Sequence, residues 1–362
     1  MNMSENNTAV EQVSETTIAA DSIGQKIAKL ILSIMPWAIV GTLLWAGIFV
    51  KPTAVIEEVI PPVINVRDNI FGLSKVSSDV YMAAGNYGKL LISTDKGRTW
   101  ENQTAPSGKT WTESHLQDIA SWDKNKSVAV GNDGVTLRTE DGGKTWAEVE
   151  SPKSDTANKL LRVHAYPNGE AWAVGEMGMI LQSTDYGQTW NQMREEEDVF
   201  MNDIVRVDDT TLYVAGEFGL IFKSTDNGKT WKDTQTNSPN RFTAVAFRTP
   251  QEGVVVGLGG AIVATKDSGE TWTYIDPKIS GMTEHLMDVD WSEETNQWVA
   301  VGNKGKWIKF SADMTQFDSR NMSNTDLTSH TELAIDGTSF LSVGQTVGSM
   351  DLKTDVWILL AD

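Results

Sequence analysis

Five aspartates sit in nearly the same words: Asp95 in STDKGRTW, Asp141 in TEDGGKTW, Asp185 in STDYGQTW, Asp226 in STDNGKTW and Asp267 in TKDSGETW. A carboxylate flanked by hydroxyls could ligate a metal or move a proton. A calcium loop of the EF-hand kind needs oxygen ligands at several alternating positions and a closing Glu. Each box offers one Asp, so no cage follows. Catalysis needs its residue once, whereas these come once per repeat. The other candidates are His115 and His285, both ahead of Leu-x-Asp (HLQDI and HLMDV), with His330 near the same place further on. Three imidazoles at equivalent positions would approach the mouth of a central channel. They form no closed ligand set with supporting partners, and the expectation is no metal and no cofactor. The chain has no cysteine, which removes disulfides, thiolate nucleophiles and cysteine metal sites.

The elements that carry these residues follow from the spacing. The box tryptophans are Trp100, Trp146, Trp190, Trp231 and Trp272. Each box follows a Gly-x-x-Gly at constant distance: Gly85–Gly88, Gly131–Gly134, Gly175–Gly178, Gly216–Gly219 and Gly257–Gly260. The same ruler finds a worn copy at Gly302 to Phe317, with Asp313 off register, and a seventh unit from Gly344 to Trp357. Inside each unit the apolar residues alternate. The second unit reads DIASW, SVAVG, VTLRT and TWAEV, four short strands with turns between. Four strands per unit, repeated, predict an all-β, seven-bladed β-propeller of four-stranded antiparallel blades. The box becomes the turn between the third and fourth strands. Its Ser/Thr and Asp side chains bond backbone amides, its Gly takes positive φ, and its Trp buries between sheets. The Gly-x-x-Gly turns strand two into strand three.

The net charge is −19, nearly all of it on residues 52–362. Such a surface repels nucleic acid and anionic lipid. Leu30 to Val50 is a run without a charge, long enough to cross a bilayer core as a helix. It is longer than a signal-peptide core and lacks a clear small-x-small cleavage site. The expected organisation is a polar cytoplasmic tail (1–26), one transmembrane α-helix (27–50), an extended linker around Pro61-Pro62 (51–66) and the propeller (67–362). The propeller is expected on the periplasmic side of the cytoplasmic membrane.

The box resembles the Asp-box, or bacterial neuraminidase repeat, of sialidases and many non-enzymatic propellers. With Gly-x-x-Gly and seven units, residues 65–362 more closely resemble the photosystem II stability and assembly factor family. That resemblance implies the fold and, in its membrane-anchored bacterial branch, association with resistance-nodulation-division transporters. The Leu30–Val50 helix fits that branch. A sialidase-like hydrolase would need an arginine triad, a tyrosine nucleophile with a glutamate, an acid/base aspartate and a Phe-Arg-Ile-Pro stretch ahead of the first box. Here Phe247-Arg248-Thr249-Pro250 stands in the fifth unit, in the turn between its first two strands. None of the nine arginines repeats in a way that suggests a triad.

Binding is the remaining chemistry. In a propeller the loops between blades share one face with the Gly-x-x-Gly turns. Here they carry Trp111, His115, Glu195, Glu196, Phe200, Arg241, Phe242, Met282 and His285, aromatics beside charges as at protein interfaces. Asn86, Asn132, Glu176, Glu217 and Asn303, between the paired glycines, are expected to ring the channel. The resulting expectation is a non-catalytic, single-pass scaffold or accessory subunit. Its partner is an integral-membrane protein, a transporter by resemblance, with no nucleic acid and no small-molecule substrate. The alternatives are a membrane-tethered glycoside hydrolase or glycan-binding protein, and a photosystem II assembly factor.

Overall fold

A computed structural model describes residues 22–49, 62–65, 67–277, 279 and 283–360. The tail before residue 22 and most of the 51–66 linker lie outside the described residues. The chain divides into two units, 1–60 and 61–362. In the first, a helix spans Ile23–Phe49. It starts earlier than the apolar run because Ser22 and Gln25 cap it reciprocally. Gln25 N donates to Ser22 Oγ at 3.3 Å and Ser22 N to Gln25 Oε1 at 2.9 Å. The hydroxyls of Ser33 and Thr42 donate to the carbonyls of Leu30 and Ala38, so neither is left unsatisfied in an apolar setting. The helix is long and apolar enough to cross a membrane. An anchor and a signal sequence share that property.

The second unit is seven four-stranded sheets, each in sequential strand order. They are blades 1 to 7, over residues 70–102, 116–148, 160–192, 201–235, 242–274, 286–321 and 330–359. Second strands such as Ser127–Gly131 and Gly253–Gly257 are buried throughout, since neighbours cover both their faces. The apolar clusters lie between blades rather than within them. Trp172 and Val174 of blade 3, for example, pack with Met201, Ile204, Val214 and Phe222 of blade 4. A blade therefore has no core of its own.

Blade 7 draws all four strands from residues 330–359, so the ring closes by side chains and not by an exchanged strand. At the seam, Tyr81, Ala83 and Trp100 pack on Leu341, Val343 and Val347. Thr331 Oγ1 donates to Ile70 O at 2.8 Å, and Lys75 pairs with Asp336 at 2.8 Å. Before blade 1, Val63 and Ile64 pack on the same cluster as Leu360.

The box geometry is the same in five blades. In blade 1, Ser93 Oγ accepts from Gly97 N at 2.8 Å and donates to Asp95 Oδ1 at 2.8 Å. Asp95 also accepts from Thr99 N at 2.9 Å and Thr99 Oγ1 at 2.6 Å. Asp141, Asp185, Asp226 and Asp267 hold Thr145, Thr189, Thr230 and Thr271 in the same way. Trp100, Trp146 and Trp190 are buried, while Trp231 and Trp272 are half-buried. Trp100 and Trp231 donate Nε1–H to the box-glycine carbonyls of Gly97 and Gly228. Gly228 shows why glycine is needed. Its φ is +77, and an added Cβ would stand 2.3 Å from the Trp172 ring of the preceding blade. In blade 6, Ser311, Asp313 and Thr315 keep the hydroxyl–carboxylate contacts and Phe317 replaces the tryptophan, stacked on Phe310.

Candidate binding site at the channel mouth

The seven inner strands share one irregularity. Each skips a partner after its first residue: at Ile70/Gly72, Leu116/Asp118, Leu160/Arg162, Met201/Asp203, Phe242/Ala244, Leu286/Asp288 and His330/Glu332. A bulge re-aims the extra side chain. The bulged residues Phe71, Gln117, Leu161, Asn202, Thr243, Met287 and Thr331 all line one cavity of about 380 Å³, together with Arg162, Arg241 and Leu258. The bulge also explains the first paired glycine. A Cβ on Gly131 would meet His115 O at 2.2 Å, because the strand start runs directly across it.

Polar groups in this mouth are already hydrogen-bonded, within a blade or to its neighbour. Thr243 Oγ1 donates to Leu286 O, and Asn202 Nδ2 to Phe242 O. Gln117 Nε2 donates to Asn132 Oδ1. Arg241 donates to Asn202 Oδ1 and lays its guanidinium 4.6 Å from the Phe200 ring centre. Burial pulls its pKa down despite Glu217 and Glu176 nearby.

One residue deeper lies the floor. Arg162 is 8% exposed. Its guanidinium stands 3.2 Å from Glu332, 3.7 Å from Asp203 and 3.9 Å from Asp288. Each carboxylate also clamps the next blade. Asp118 accepts Val163 N at 2.8 Å, Asp203 accepts Val245 N at 2.8 Å, Asp288 accepts Leu333 N at 2.9 Å and Glu332 accepts Leu73 N at 2.7 Å. The last of these crosses the ring seam. Burial alone would lower the Arg162 pKa, but Glu332, Asp118, Asp288 and Asp203 raise it instead. Beyond the floor, His164 donates to or accepts from Asp203 at 2.9 Å.

The structure redistributes the residues read from sequence. Phe242 is not on the face: it is fully buried with Val245 and Val255, because it opens an inner strand and alternation turns it inward. His330 is not equivalent to His115 and His285. It pairs with Gly344 where Leu116 and Leu286 pair with Gly131 and Gly302, one position later, and is buried near Ser342 and Asp326. The three imidazoles do not gather. His115 lies against Tyr87 with ring centres 4.8 Å apart and planes tilted by 46°, and His285 Nδ1 accepts from Gly259 N at 3.0 Å. Among the described residues no group of three such ligands could hold a metal.

The residues between the paired glycines face the backbone rather than the channel. Asn86, Glu176, Glu217 and Asn303 accept the amides of Asn69, Lys159, Phe200 and His285, satisfying strand starts. Asn132 takes Gln117 instead. The next residue in the turn is displayed at Tyr87 and Phe218 and half-buried at Met177. Tyr87, Met177 and Phe218 hold φ of 54, 56 and 58, a left-handed conformation uncommon for bulky side chains. Tyr87 and Phe218 are 66% and 62% exposed. Of the inter-blade residues, Trp111 is half-buried against the cluster of Leu116 and Val135. Phe200 is half-buried under Arg241, and Glu195 is exposed. Glu196 accepts from Ser154 Oγ at 3.0 Å. Met282 lies outside the described residues. Arg248 is paired with Glu252 and lies 5.1 Å from the Trp291 ring, in the turn after the blade 5 inner strand.

The family model of the photosynthesis system II assembly factor YCF48 matches residues 107–232, and that of sortilin, neurotensin receptor 3, matches 178–344. Three solved structures share the fold. YCF48 bound to D1 peptide is 17% identical with a TM-score of 0.64, covering 79% of this chain and 92% of that one. YCF48 from Cyanidioschyzon merolae is 18% identical with a TM-score of 0.61, covering 76% and 92%. This chain has the seven-bladed propeller fold and is similar in it to those YCF48 structures. A GH74 xyloglucanase from Xanthomonas campestris is 14% identical with a TM-score of 0.68, and the match covers 83% of this chain and 55% of the enzyme. No curated protein matches the chain in sequence.

Proposed function

We propose that the chain is a non-catalytic docking module held at the cytoplasmic membrane by the Ile23–Phe49 helix, with the propeller on the periplasmic side. Its channel-mouth face takes an extended segment of an integral-membrane partner. The observation that carries this reading is the bulged layer. Seven side chains, one per blade, are re-aimed into a cavity of about 380 Å³, beside turns that hold Tyr87 and Phe218 outward at a backbone cost. Strain kept at an exposed residue points to use rather than packing. The similar YCF48 structure, bound to D1 peptide, supports a peptide as the occupant. The family resemblance supports a resistance-nodulation-division transporter as the partner. A membrane-tethered helix also raises the effective concentration of the propeller near such a partner.

The test is purification of the full-length protein in mild detergent with a photocrosslinking residue at Phe218 and, separately, at Tyr274 of the outer strand of blade 5. Crosslinks to one polytopic membrane protein from position 218 and not from 274 support the reading. Equal crosslinking from both positions, or none, removes it. Turnover of a xyloglucan or sialoside substrate would instead favour a hydrolase. A photosystem reaction-centre subunit as the crosslinked species would favour assembly of that complex.

A further inference from the structure

The channel floor holds more acid than base. Around Arg162 stand Asp118 from blade 2, Asp203 from blade 4, Asp288 from blade 6 and Glu332 from blade 7. Blades 1 and 5 place Gly72 and Ala244 at that level. One layer further in, blade 3 adds His164 and blade 6 adds Asp290, while the other blades offer Ser74, Ala120, Val205, Ala246 and Ala334. Above the floor, among the described residues, the mouth-lining charge besides Arg162 is Arg241. Lys75 is turned away to Asp336.

With all groups ionised, five carboxylates would face Arg162 and His164. Sheets wall this site, and carboxylates crowded in one low-dielectric site do not all ionise. The single guanidinium is shared rather than paired, with separations of 3.2 to 3.9 Å to three acids. The carboxylates cannot move apart, because four of them hold amides of the next blade.

We infer that the floor is a proton-loaded fastener. At least one proton is shared among Asp118, Asp288 and Glu332 near neutral pH, and its loss on alkalinisation weakens the clamps between blades, the seam between blades 7 and 1 included. The electrostatics agree. Burial raises Asp118 and Glu332, and pushes Asp288 up to about 7 and Asp290 to about 6. Burial opposes protonation of His164, but its hydrogen bond to Asp203 outweighs that and raises it. For the acids, no penalty exists below the ordinary carboxylate value. It grows as pH rises and is complete above the raised values. His164 adds stability at low pH that is lost as pH rises through its raised value. Both work in the same direction.

The experiment uses the full-length protein in detergent. Infrared spectra and thermal unfolding are followed from about pH 5 to about pH 8, a span that brackets the values of Asp290 and Asp288. Asp288→Asn and Glu332→Gln keep an oxygen for the Leu333 and Leu73 amides while removing the titration. The expected result is a protonated-carboxyl absorption in the wild type near pH 6.5, reduced in each variant. The wild-type unfolding temperature falls by several degrees toward the alkaline end, and the variants lose part of that fall. The acidic surface produces a slope of the same sign, so the difference between proteins is the readout. Parallel slopes in all three overturn the inference. If neither variant folds, absence of the wild-type absorption near pH 6.5 does so by itself.

Discussion

Replacing Arg162 by Met tests the floor most directly. Met keeps the length of the arginine stem, so little cavity is created and the change is mainly one of charge. Arg162 is 8% exposed, and its guanidinium lies within 3.9 Å of Glu332, Asp203 and Asp288. Removing one partner of a buried ion pair costs about 3–5 kcal/mol. The stranded carboxylates can escape part of this by taking up protons, at about 1.4 kcal/mol per pK unit. The loss should therefore be ~3–4 kcal/mol near pH 8, where protons are scarce, and under ~2 kcal/mol near pH 5. The assay is urea unfolding of the full-length protein in detergent, followed by fluorescence of its 14 tryptophans. A loss below ~1 kcal/mol at both values, or one larger at the acidic end, would refute the keystone role of Arg162.

Four further outcomes are expected. Asp185→Ala removes three contacts to Ser183 and Thr189 and should lower stability by roughly 1–2 kcal/mol, as loss of a comparable cap does, without changing partner capture; lost capture by a folded variant contradicts this. Gly228→Ala should cost far more than Gly143→Ala in thermal unfolding. Both have positive φ, but the new Cβ meets the Trp172 ring at 2.3 Å in one and Gln103 Oε1, the end of a flexible side chain, at 3.1 Å in the other. Phe218→Gly relieves a left-handed residue worth about 1 kcal/mol, so stability should hold or rise while partner capture falls; a large loss of stability would make the ring a packing residue. Stability should also be greatest in mildly acidic solution. Hydrogen bonds from the following Thr hold Asp95 and Asp267 low and Asp226 down to about 2, so their contribution is lost as pH falls below the ordinary carboxylate value. The channel acids instead accrue a penalty as pH rises from the ordinary carboxylate value toward about 7. A flat profile from about pH 4 to about 8 would contradict the channel assignment, and a flat one from about pH 4 down to about 2 that of the boxes.

What the amino-acid order determined alone is the local chemistry. Asp95, its two hydroxyl neighbours, Gly97 and Trp100 lie within eight residues, and their contacts form inside one turn. Turn type, strand alternation and repeat length follow from such short-range bonds and φ preferences. So the seven blades were legible, down to the worn sixth box at Ser311 and Asp313. The capped helix start at Ser22 was equally local, though the apolar run concealed it. The mouth and floor were decided by closure of the ring. Leu73 and Glu332, 259 residues apart, meet only because blade 7 returns to blade 1. Arg162 gains its carboxylates from strands that share no sequence neighbourhood. A signal did exist: one polar residue interrupts the apolar inner strands at the same column, Asp118, Arg162, Asp203, Asp288 and Glu332. Its meaning needed the bulge ahead of it, which shifts the register by one residue and turns Phe71, Gln117 and Asn202 into the mouth. The same one-residue arithmetic buried Phe242 and displaced His330. In a sheet with a two-residue period, a single inserted residue exchanges the faces, and that insertion is set by how the strands pair in space.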